Sequence, residues 1–114
     1  MAIKFVAKDY NLEMIRGDTL SFAIKLSGLD QDLSSAKFSC KNSLKDSEYV
    51  FQKSLSDGIT KVEQGIYRVR VAPEDTENLA IKSYIYDLEI GVNGDKFTIM
   101  RGSLTLIEDV TRED

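Results

Sequence analysis

Apolar and polar residues alternate along most of this chain with a period of two. Leu20, Phe22, Ile24 and Leu26 are separated by Ser21, Ala23 and Lys25. Ala36, Phe38 and Cys40 repeat the pattern, as do Tyr67, Val69 and Val71 around Arg68 and Arg70. Tyr84, Tyr86, Leu88 and Ile90 alternate with Ile85, Asp87 and Glu89; Phe97 and Ile99 follow, then Leu104 and Leu106. Side chains on a strand point alternately to opposite faces, so each run predicts a strand with one face on a core and one near solvent. Polar connections at 27–35 and 56–58 separate the runs. Asn93-Gly94 lies between two of them, and both residues tolerate the positive φ of a tight primed hairpin turn. Pro73 with Glu74, Asp75 and Glu77 predicts one helical turn in an otherwise extended chain. The pattern predicts a single all-β domain over residues 1–114. Its expected form is an antiparallel β-sandwich, immunoglobulin-like or jelly-roll-like, of roughly seven to nine strands.

Two slips in phase stand out. A straight strand over 12–26 would point Arg16 and Asp18 inward with Leu12, Met14 and Leu20, at a cost of several kcal/mol unless both charges were paired. The chain is therefore expected to break or bend at Gly17. Phe97 and Ile99 are odd-numbered whereas Leu104 and Leu106 are even, which predicts a β-bulge within Met100–Ser103, beside Gly102.

Composition narrows the function classes. With 114 residues, 42% hydrophobic and 30% charged, the chain suits an ordinary globular domain. No apolar run approaches a membrane span, and the N-terminus lacks a secretory apolar stretch. The net charge of −4 is made of intermixed signs, without the basic stripe that a phosphate backbone requires. Cys40 is alone and sits at an apolar phase position, as a small buried hydrophobe would. Histidine is absent, which removes the usual base of Ser and Cys nucleophiles and the commonest zinc ligand. No Gly-rich phosphate loop is present. Nineteen acidic residues make carboxylate pairs undiagnostic. The expectation is a protein that is not an enzyme and needs no cofactor or metal.

Arg16-Gly17-Asp18 invites comparison with adhesion signals, but such a tripeptide occurs by chance in about 3% of chains this long. Strand-like apolar sequence also crowds both of its sides. Tyr67, Tyr84 and Tyr86 offer an alternative, an aromatic platform for sugar rings; aromatics at these phases more often build the core. Asp30 and Asp32 share a loop but fall short of a calcium-loop pattern. Arg68 and Arg70 share an outward face and are either solvated or part of a contact with an acidic partner.

Taken in order, "RGDTLSFAIKL", "DLSSAKFSCKN", "GIYRVRVAPEDTENLAIKSYIYDLEI" and "DKFTIMRGSLTLIEDVT" resemble the N-terminal domain of the baseplate upper protein family of tailed bacteriophages and prophages. The marks are Arg16, Gly17, Asp18 and Thr19 before an alternating strand, Leu33 to Lys41, Gly65 to Val71, Thr76 and Leu79, Tyr84 and Tyr86, and Gly102. The resemblance implies a β-sandwich that contacts other phage structural proteins and performs no chemistry. Its place would be a baseplate, neck or adaptor, made in the bacterial host cytoplasm and then carried in the virion tail. Homo-oligomerisation is compatible with such a role; nucleic acid and membrane are not expected partners. A carbohydrate-binding or adhesion module is the alternative.

Overall fold

The computed structural model describes residues 8–109. Among these are nine strands: β1 (Lys8–Asp9), β2 (Leu12–Ile15), β3 (Leu20–Lys25), β4 (Ser35–Lys41), β5 (Phe51–Leu55), β6 (Gly58–Glu63), β7 (Ile66–Val71), β8 (Ser83–Val92) and β9 (Asp95–Ile107). One helical turn, α1 (Pro73–Thr76), joins β7 to β8. The strands form one hydrogen-bonded sheet in the order β1-β9-β8-β4-β5-β6-β7-β3, with β2 also on β9. The all-β prediction holds.

The purely antiparallel prediction does not. β1 and β2 run parallel to β9, and β5 meets β6 in a parallel bridge of two residue pairs, Ser54–Gly58 and Leu55–Ile59. Periodicity reports which face a residue occupies and says nothing of the direction of its neighbour. β9 is long, and its outer edge takes up residues 8–15, with the Tyr10 N–H donating to the Arg101 carbonyl at 2.9 Å.

The sheet is curled, forming a half-barrel. β3 and β4 are separated by three strands in the ladder, yet the Phe22 and Phe38 rings meet edge to face with centroids 5.9 Å apart. Phe38 is fully buried and also contacts Phe51 and Tyr86, at 6.1 and 5.2 Å. Around it lie Ile59, Val69, Val71, Leu88, Ile90, Leu104 and Leu106, all on the inward phases of their strands. Core tyrosines keep their hydroxyls bonded. Tyr67 accepts from the Leu33 N–H, Tyr84 donates to the Ala80 carbonyl, and Tyr86 donates to the Tyr10 carbonyl.

Both phase slips have structural counterparts. β2 ends at Ile15, and the turn that follows has Gly17 at φ +85° and is closed by the Asp18 N–H donating back to the Ile15 carbonyl at 3.0 Å. The second slip falls at Ile99, one residue before the expected window: Leu88 pairs with Met100 and Glu89 with Thr98, leaving Ile99 as the extra residue. Gly102 has a different duty. A Cβ there would collide with the Tyr10 carbonyl, so glycine lets the N-terminal segment lie close on β9.

Candidate functional site

The residues from Arg16 to Thr19 connect β2, at one end of the strand order, to β3 at the other. The β7–β8 connector makes the same crossing, and the two are tied together. The Gly17 N–H donates to Thr76 Oγ1 at 2.9 Å, and the Arg16 guanidinium donates to the Leu79 carbonyl at 3.1 Å. Thr76 is fully buried. Asp75 caps the turn by accepting the Ala72 N–H at 2.7 Å, and pairs with Lys53 of β5 at 2.8 Å. The tripeptide is thus a braced corner, with its arginine engaged by the fold and Asp18 exposed.

Asn93 and Gly94 occupy the tip of the β8–β9 hairpin, both with positive φ, 54° and 87°. They lie at the far end of β8 from the corner. Arg68 and Arg70 project from the outer face of β7, where the Arg68 guanidinium donates to Ser21 Oγ. On β3, Ser21 lies opposite Arg70, Ala23 opposite Arg68, and Lys25 opposite Ile66, one outward position further along. These outward positions of β3 and β7 hold three cations and no carboxylate, on a chain whose net charge is −4.

A second surface lies on the outer face of β5, β4, β8 and β9. It is a trough of roughly 760 Å³, flanked by Leu44 and Tyr49 of the β4–β5 connection and by Asp9 and Asn11. Cross-strand register sets its floor. One row runs Gln52, Ser39, Asp87, Arg101; the next runs Lys37, Glu89, Thr98. Gln52 Nε2 donates to Ser39 Oγ at 2.8 Å, and Arg101 pairs with Asp9 at 3.1 Å. Burial, followed by the neighbouring Glu89 charge, pushes the Asp87 carboxyl up, while Lys41 pulls it down. The Lys41 ammonium stands 5.3 Å from the centroid of the Tyr49 ring. Leu44 is 85% exposed and Tyr49 49%.

Sequence reasoning missed this trough. Its signal was the outward phase of Lys37, Ser39, Lys41, Asp87 and Glu89, but only the β4–β8 pairing puts those residues side by side. Of the predicted marks, Gly102, Tyr86 and, within the Leu33–Lys41 stretch, Lys37, Ser39 and Lys41 line it. Tyr67, Tyr84 and Tyr86 are 2%, 4% and 4% exposed, so they cannot form the sugar platform considered above. Asp32 bonds Lys61 at 2.6 Å, and among the described residues no three metal-ligating side chains converge. Burial pushes the Cys40 thiol up to about 12. No helix among the described residues is long and apolar enough to cross a membrane. Compared with known proteins, the chain matches no protein-family model and no curated protein.

Proposed function

We propose that this chain is a non-catalytic structural or interaction component of a bacteriophage or prophage tail, in a baseplate, neck or adaptor position, acting through protein–protein contacts. The tail assignment rests on the ordered sequence marks. The mode of action rests on one observation: Lys25, Arg68 and Arg70 form a cationic face on β3 and β7, beside a terminal strand, on an acidic chain. Such a face suits an acidic surface on a neighbouring structural protein, and a terminal strand can add backbone pairing to it.

The finer architecture belongs to the same reading. In this reading the short β5–β6 bridge is the fold line between two layers, β3-β7-β6 and β2-β9-β8-β4-β5, of the one continuous sheet. The contact between Phe22 and Phe38 supports reading the curled sheet as an immunoglobulin-like sandwich folded from one continuous sheet.

Deleting the coding sequence from the phage or prophage that carries it, then imaging particles by electron microscopy, tests the assignment. The expected result is incomplete tails. Complete, infective particles lacking the protein would refute it. Charge reversal at Arg68 and Arg70 in a folded protein should block its incorporation; normal incorporation would remove this face from the contact.

A further inference from the structure

The geometry points to a second binding site on the same domain: the trough on the outer face of β5-β4-β8-β9 takes a short, neutral oligosaccharide. This goes beyond the tail assignment and concerns a different face from the cationic one.

Charge selects the class of ligand. Three acids, Asp9, Asp87 and Glu89, and three bases, Lys37, Lys41 and Arg101, line the trough, so its formal charge is zero. A polyanion would need a clear excess of cations. A strongly charged peptide of either sign would meet as many like charges as unlike ones. An apolar ligand would strand the polar floor without partners. A neutral polyhydroxylated ligand avoids all three penalties, because each hydroxyl both donates and accepts.

The polar groups are also available. Arg101 is engaged by Asp9 and Lys41 lies over one face of the Tyr49 ring, but Lys37, Asp87 and Glu89 make no ion pair or hydrogen bond among the described residues. Donors and acceptors are laid out on neighbouring strands, which lie about 4.8 Å apart. Consecutive strands therefore offer bonding partners in a lattice rather than at one point. Tyr49, half exposed at the flank, presents an apolar ring with a polar tip beside that lattice. The volume falls in the range of sites for small ligands, with room for more than one sugar ring.

The test begins with the full chain on a printed array of neutral and acidic oligosaccharides. Bound members are titrated by calorimetry, and the site is mapped by amide chemical shifts. Binding of neutral members is expected, with shifts confined to β4, β5, β8, β9 and the Tyr49 connection. Gln52→Ala and Tyr49→Ala should each weaken it about tenfold while thermal melts stay cooperative. Arg68→Glu, on the other face, should leave it unchanged. An array with no neutral oligosaccharide bound overturns the proposal. So does binding restricted to acidic glycans or to charged peptides, and so does neutral binding that survives the Gln52 and Tyr49 changes combined.

Discussion

Thr76→Val isolates what holds the Arg16–Thr19 corner. Thr76 is fully buried, and its hydroxyl oxygen is the acceptor for the Gly17 N–H at 2.9 Å. Valine keeps the branched shape but offers no acceptor, so that amide loses its partner inside the protein. Leaving a buried donor unsatisfied costs about 1–3 kcal/mol, and the half-buried Gly17 amide falls toward the lower end of that range. The added methyl returns roughly 0.8 kcal/mol of apolar burial. The expected net loss is therefore about 0.2–2 kcal/mol, a drop of up to several degrees in Tm for a domain of this size. The Arg16 bond to Leu79 is untouched, so the corner stays docked and the loss is local. Thr76→Ser is the control: it keeps the acceptor and loses a methyl, at about 1 kcal/mol. Because the two variants cost similar amounts, urea denaturation alone does not separate them. Amide hydrogen exchange at Gly17 does. Protection should survive in the serine variant and fall in the valine variant. A valine variant with wild-type protection at Gly17 and unchanged stability would refute the brace.

Gly102→Ala places a methyl group against the Tyr10 carbonyl at φ +154°. It should detach residues 8–11 from β9 and cost at least about 2 kcal/mol, read by denaturation and by loss of protection at Tyr10. Cys40 is fully buried with its thiol pushed up to about 12, so a thiol reagent should react only through unfolding. A reaction rate that does not rise with urea would contradict this. Asp87 has a folded pKa raised by burial and by Glu89. A carboxyl raised above its unfolded value, about 3.9, penalises the folded state when ionised, and the penalty disappears as pH falls through the folded value. Asp87→Asn should therefore gain stability near neutral pH and lose that gain in acid. An equal gain at all pH values would be the wrong outcome.

The strands were legible because the core is one-sided. Phe38, Tyr67, Leu88 and Leu104 are inward for the same reason that their neighbours are polar, and a one-residue slip would reverse both. Gly17 and the Asn93-Gly94 turn were legible because positive φ leaves a mark in residue type. The slip near Gly102 was legible as a slip but not by position, since either residue beside a bulge can carry the change of phase. Pairing was not legible. Nothing in the run from Leu12 to Ile15 tells that it lies parallel to β9, and nothing in Lys53 foretells Asp75. The trough depends on pairing throughout, so it emerges only from the folded sheet.

The two outer faces differ in a way that separates their roles by experiment. Lys25, Arg68 and Arg70 act as a block of one sign, and attraction between such a block and an acidic partner is screened over about 10 Å at 0.1 M salt. In the trough, acids and bases alternate and the ligand carries no charge, so its binding depends on short-range hydrogen bonds that added salt barely changes. Raising the salt concentration should thus release the protein partner while leaving oligosaccharide affinity within about twofold. The faces are built on the two ends of the strand order, yet Phe38 packs against strands of both and the Thr76 brace ties their connectors. A trough whose affinity falls with salt as steeply as the cationic face would show that charge, not hydroxyl geometry, governs both.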